Sequence, residues 1–187
     1  MSNHLVTVRN RNIYISGHVD EGMAHAVIIS LEELDVTDGT IRLVINSDGG
    51  DEACGYAMYD AITRCRNQVV ADGYGSVKSI MAAVFQAADW RRLGATASFL
   101  IHNGQTTVTQ EGGVADQDHI TALAEQLKKD SKAYYTILSK GSQQPLEVIK
   151  NFCDDETYFT AQEAVDVGLA DEVIKPLKNR CKRRKKK

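Results

Sequence analysis

The chain has 187 residues, 43% of them hydrophobic and 25% charged, with only two prolines, the composition of an ordinary soluble domain long enough to bury a core without disulfides. No apolar run reaches the roughly 18 residues of a membrane span, and "MSNHLVTVRNRN" at the front lacks the apolar stretch of a secretory signal, so a cytoplasmic protein away from the membrane is expected. The net charge of -3 is uneven: nine basic residues and no acidic one fall in the last 13 positions, which leaves -12 on residues 1 to 174.

Along the chain, "RNIYISGHVD" predicts a short strand carrying Ile13 and Ile15 and ending at Gly17. "EGMAHAVIISLEELD" follows with Met23, Val27, Ile28, Leu31 and Leu34 at helical spacing. "TIRLVIN" is β-branched and nearly all apolar, as a strand buried on both faces of a parallel sheet would be. "SDGGDEACGYAMYDAITRC" then turns through two glycines into a second helix. "NQVVADGYG" reads as another strand, "GYGS" as a glycine-bearing turn, residues 79 to 90 as a third helix and "ATASFLIHNG" as a strand. Alternation of this kind predicts an α/β fold with a parallel sheet and right-handed crossovers.

Beyond His102 the polar stretch "QTTVTQEGGVADQ" leads to residues 118 to 139, which set Ile120, Leu123, Ala124, Leu127, Tyr134 and Leu138 on one helical stripe. A helix of that length, stopped near Gly141, is expected to project from the head and be covered by another subunit. The alternative is that it packs back on its own domain. "PLEVIKNFC" predicts a short helix, and "YFTAQEAVDVGLADEVI" a capping box of Thr160 and Glu163, a helix stopped at Gly168 and a closing strand. Residues 1 to 174 are read as one domain. The tail, residues 175 to 187, is read as a solvated, disordered extension, with nucleic acid or an acidic partner as the functional alternative. Cys54, Cys65, Cys153 and Cys181 have neither C-x-x-C spacing nor a histidine at zinc-site distance. They are expected to be reduced, with no metal and no cofactor.

A nucleophilic serine needs a base, a group that orients the base, and N–H donors for the oxyanion. Ser79 stands where a strand gives way to a helix, so the N–H of Ile80 can face an oxyanion there. Gly49 and Gly50 in "INSDGG" lie at the carboxyl end of a neighbouring strand, where open α/β sheets place ligands. His102 stands at the end of "SFLI" and is the histidine best placed to be the base; His4, His18, His25 and His119 have poorer settings. Ser76 reads as a turn residue. Lys78 is a rival base, disfavoured because adjacent side chains point apart, and is otherwise a solvated or substrate-facing charge. "GYGSVKS" is not a G-x-S-x-G elbow, so an α/β-hydrolase placement is not supported.

In this order the residues resemble the proteolytic subunit of the caseinolytic (Clp) protease, a family of self-compartmentalised serine peptidases related in fold to crotonases. "INSDGG" is similar to the family's I-N-S-P-G-G, "GYAMYDAI" to G-x-x-I-Y-D-x-x and "GSVKSIMA" to G-x-A-A-S-M-G-A. "FLIHNG" is similar to M-I-H-Q-P, and "YFTAQEAVDVGLADEVI" to F-x-S-A-x-E-A-x-x-Y-G-L-I-D-x-I. The resemblance runs from about residue 11 to 174. It implies a ClpP/crotonase-type ββα superhelix with residues 118 to 139 as a projecting handle helix. Ser79 is then the nucleophile, His102 the base, and the N–H groups of Gly50 and Ile80 the oxyanion hole. Aligning "ETYFTA" on the family's D-x-x-x-S-A puts Glu156 in the third catalytic position, with Asp155 and Asp154 as alternatives.

The same resemblance implies polypeptide substrates, a homo-oligomer of stacked heptameric rings and an AAA+ unfoldase ATPase as partner. Several features depart from the pattern. Asp48 replaces a proline, Val77 and Lys78 replace alanines, and "WRRLGATAS" is shorter than its counterpart and lacks the P-N-S-R stretch. Only a dozen residues precede the first expected strand, too few for the N-terminal helix and axial loops that meet the ATPase. The short front and basic tail are similar to Clp-like peptidases of bacteriophages, some of which mature capsids. A prohead maturation peptidase working without an ATPase is therefore one alternative function. A catalytically idle ring subunit or scaffold, in which Lys78 disturbs the serine, is another.

Overall fold

The computed structural model describes residues 4–104 and 117–175. The basic tail lies outside the described residues except for Lys175, as does the polar loop before the long helix. The chain opens with a hairpin of β1 (His4–Arg9) and β2 (Asn12–Val19), followed by α1 (Glu21–Asp35), β3 (Ile41–Gly50) and α2 (Glu52–Thr63). Then come β4 (Val69–Lys78), α3 (Ile80–Gln86), β5 (Trp90–Gly94) and β6 (Ser98–Ile101). The long helix α4 (Gln117–Ser142) and α5 (Leu146–Asp154) lead to β7 (Thr157–Thr160), α6 (Ala161–Asp166) and β8 (Glu172–Ile174). The expected α/β alternation is present.

The strands form one sheet in the order β1-β2-β3-β4-β5-β8, and β6 branches from β4 to pair with β7. All neighbours from β2 to β8 run parallel; β1 with β2 and β6 with β7 are antiparallel. The branch arises within β4. Its first half, Val70 to Gly73, pairs with β5, whereas Ser76 to Lys78 pair with β6. A register shift opposite β3 separates the halves, between the pairs Ile45↔Gly73 and Ser47↔Val77. Gly75, at φ 66°, sits in this irregularity, a conformation that costs glycine little. The expected turn at 73 to 78 is therefore a bent strand that runs up to Ser79.

The core follows the period-2 alternation of β2 and β3, where Ile13, Ile15, Ile41, Leu43 and Ile45 are buried. The opposite face of β3 is only partly covered, with Arg42 and Val44 half-buried and Asn46 exposed, so the expectation of a strand buried on both faces does not hold. A side-chain network occupies that face: Asp72, almost fully buried, pairs with Arg42 at 3.2 Å and Arg92 at 2.7 Å. Two further strands depart from the sequence reading. β1 joins β2 through Asn10 and Arg11, both at positive φ, as a tight two-residue hairpin requires. β5 is masked in the sequence by "WRRLG", whose arginines are held by acids distant in the chain.

The helix expected over 118 to 139 extends over Gln117–Ser142 and divides into two parts. From Tyr134 onward it packs on the head, burying Tyr134 and Leu138, while on the first half Ile120 and Ala124 are exposed and Leu123 and Leu127 half-buried. The expected capping box of Thr160 and Glu163 is present in full. Phe99 of β6 makes edge-to-face contacts with Phe85 of α3 and Phe159 of β7, at centroid distances of 5.8 and 6.5 Å. This trio locks together the elements that end on the groove described below. Phe99→Ala should lower the unfolding free energy by about 3–5 kcal/mol, measured by denaturant titration.

Candidate active site

Ser79 occupies the junction of β4 and α3 with φ 54° and ψ -133°. A residue other than glycine in such a conformation costs about 1–3 kcal/mol and persists only where its surroundings hold it. Here the Ser79 N–H donates to Leu100 O at 3.0 Å, and the Ser79 carbonyl accepts from Ala82 N–H at 2.8 Å and from the Tyr134 hydroxyl at 2.9 Å. The position is that of a helix N-cap, yet the Ser79 side chain makes no capping bond. Its hydroxyl is not spent on the role that a serine before a helix usually fills.

The glycine loop presses against this junction. Gly49 has φ 94°, and a methyl group placed on it would lie 2.7 Å from Ser79 Cβ, 2.8 Å from Lys78 O and 3.3 Å from Ile80 N. Gly50, at φ 153°, is closed in by the backbone of Val19 and the ring of His18. Neither position tolerates a side chain, so the backbone of the loop itself faces the groove.

His102 follows the last residue of β6 and is half-buried. Ser79 and His102 line two connected spaces. One is a cavity of about 10 Å³ shared with Glu52, Ile80, Asn103 and Tyr134. The other is an open groove of about 490 Å³, in which they are joined by Gly50, Asp48, Asp51, Glu52 and Asp130, with Leu123 and Leu127 of α4 as a wall. The structure thus brings four of the five candidate residues, Ser79, His102, Gly50 and Ile80, to one place. Glu156 is exposed, has φ 48° and lines neither space. The β6–β7 register pairs Ile101 with Thr157, so His102 and Glu156 are the next residues out at the same end of that ladder. Asp154 accepts a 2.8 Å hydrogen bond from the Asn103 amide, whose oxygen accepts from the Tyr135 hydroxyl. Asp155 is exposed and ends α5.

Lys78 is not a free charge: its ammonium lies 2.8 Å from the Asp48 carboxylate. The bonds from Lys78 and from the Ser76 hydroxyl hold the Asp48 carboxyl below the ordinary value of 3.8. Two more groups were invisible as site residues from sequence. Tyr134 was legible only as part of an apolar stripe, and its full burial keeps the phenol protonated as a donor. Glu52, at the start of α2, has its pKa raised, first by burial and then by Asp130 and Asp51, against an opposing pull from His102. Among the described residues no cluster of ligands fit for a metal occurs, and no helix is long and apolar enough to cross a membrane.

A strained serine at a strand-to-helix junction shares one groove with a histidine that follows β6 and with a side-chain-free loop, the set of groups that an α/β enzyme working through serine requires. The chain belongs to the Clp protease family, whose profile it matches over residues 3–176. It is therefore a homologue of serine peptidases, with the family's ClpP/crotonase-type fold. It is similar to the ATP-dependent Clp protease proteolytic subunit of Ligilactobacillus salivarius, 34% identical over 172 residues, which span 90% of this chain and 85% of that protein.

Glu52 yields a pH-dependent prediction. Because its folded pKa is raised above 4.5, the ionised form costs stability, and the cost grows as pH rises from 4.5 to the folded value and is constant above it. Glu52→Gln should melt above the parent at pH 7, with the gap narrowing as pH falls through the folded value and gone below 4.5, as read by calorimetry across pH.

Proposed function

We propose that the protein is a serine endopeptidase that cuts peptide bonds through an acyl-enzyme. His102 takes the Ser79 Oγ proton as the oxygen attacks the scissile carbonyl. The N–H groups of Gly50 and Ile80 stabilise the resulting oxyanion. His102 then returns the proton to the leaving amine, and a water activated by the same imidazole releases the acyl product. Glu156 orients the imidazole from the facing strand, consistent with its place beside His102 in the β6–β7 register. The observation that carries the reading is the unspent hydroxyl of Ser79, held in a strained backbone within one groove with His102 and Gly50.

Residues 1 to 174 act as one peptidase domain, and the tail from 175 to 187 lies outside it. The working form is a homo-oligomer of stacked heptameric rings acting on polypeptides. The exposed Ile120 and Ala124, on the same stripe of α4 as the half-buried Leu123 and Leu127, support this, since that stripe is only partly covered by its own domain. The idle-subunit alternative rested on Lys78 disturbing the serine, and the ammonium is instead engaged by Asp48.

A fluorophosphonate probe should label Ser79. Ser79→Ala should abolish labelling, and His102→Ala should slow it by about 10³-fold or more. Intact, oligomeric protein that remains unlabelled would overturn the reading. Light scattering after size exclusion should give a mass many times the 20.6 kDa of the chain; a monomer at micromolar concentration would sink the ring.

A further inference from the structure

Lys78 and Asp48 take no part in the chemistry above, yet they join the two segments from which that chemistry draws its backbone donors. Asp48 stands two residues before Gly50, and Lys78 two residues before Ile80. The β3–β4 ladder is interrupted after Ile45↔Gly73, and its last matched pair is Ser47↔Val77. Lys78–Asp48, at 2.8 Å, is the next link beyond that pair, made by side chains where the ladder stops. On the same stretch the Ser76 N–H donates to the Asn46 side chain at 3.0 Å, a further link between β4 and β3.

Resting on the acyl-transfer reading, we propose that Lys78 and Asp48 are positioning residues whose ion pair fixes the separation of the Gly50 and Ile80 N–H groups. The glycine loop needs such a restraint. Its two glycines adopt φ 94° and 153°, and their backbone freedom would otherwise let the loop drift from the serine. A Cβ added to Gly49 would collide with Ser79, Lys78 and Ile80, so the loop backbone lies close against the junction and its movements change the donor geometry. The carboxylate of Asp48 is largely exposed, whereas Lys78 is three-quarters covered. A pair of that exposure adds little to global stability. Its effect is on geometry, where a misplacement of about 1 Å costs up to about a hundredfold in rate.

The folded pKa of Asp48 is depressed, so the pair is intact above its ordinary value of 3.8 and is lost only as pH falls through the lower folded value. Removing the pair should therefore scale the rate at neutral pH without moving the pH profile. A lysine acting as base would shift that profile.

The test is saturation kinetics of fluorophosphonate labelling on the full-length protein, its melting temperature recorded in parallel. Lys78→Ala and Asp48→Ala should each lower the limiting labelling rate about tenfold, with the probe's half-saturation concentration changed by less than about twofold. The double variant should be within about twofold of either single one, since both remove the same contact. Lys78→Arg should retain at least about half the parent rate, because it preserves the charge and reach. Asp48→Asn provides the loss in a near-isosteric form should Asp48→Ala fold poorly. A Lys78→Ala variant as fast as the parent, losses that multiply in the double variant, or a pH profile displaced by Lys78→Ala would each overturn the assignment while the labelled parent still supports the peptidase reading. An unlabelled parent overturns that reading and the assignment with it.

Discussion

The backbone of Ser79 is bent into a conformation that an L-residue avoids, and much of the architecture around it serves to keep it there. The restraint comes from three directions: Leu100 on the neighbouring strand, the first turn of α3, and the phenol of Tyr134 on α4. Each belongs to a different element, so the conformation exists only once β6, α3 and the root of α4 have docked. The aromatic contacts of Phe99 join β6 to α3 and β7, and thereby connect the packing of the core to the dihedral angles of one residue.

Tyr134 gives that arrangement a further property. Its hydroxyl reaches the Ser79 carbonyl from a helix whose other half is only partly covered, with Ile120 exposed. The phenol is fully buried and its pKa is raised well above 10 by desolvation, so the bond persists at neutral pH. In the proposed ring, the helix that would meet a second copy is therefore the same helix that steadies the serine.

The elements that local chemistry specifies were legible in the sequence. The period of Met23, Val27 and Leu31 sets α1, and Thr160 with Glu163 sets the start of α6. Ser79, His102 and the glycine loop could be brought to one site by reasoning that strand ends of a parallel sheet converge. What escaped was whatever depends on a distant partner. "WRRLG" reads as polar until Asp171 and Asp72 are placed beside its arginines. Lys78 reads as an intruder beside a serine until Asp48 arrives from a loop thirty positions earlier. Tyr134 could be assigned to an apolar stripe from its spacing, but its hydroxyl bond crosses the fold. Asp48 and Lys78, two of the residues that depart from the family pattern, are each other's partners, a pairing that no single motif could reveal.

The acidic lining of the groove has a consequence after a bond has been cut. Asp48, Asp51, Glu52 and Asp130 all border the space beside Ser79, and among the described residues Asp48 alone of these four forms an ion pair. A peptide enters as a neutral amide, but in the proposed reaction its acyl half leaves as a carboxylate. Like charges at short range in a partly desolvated wall repel, so in that reaction the acyl product is less welcome than the substrate it came from. The new amino terminus leaves as a cation, which the same wall attracts, so the two halves of a cleaved chain are released unequally.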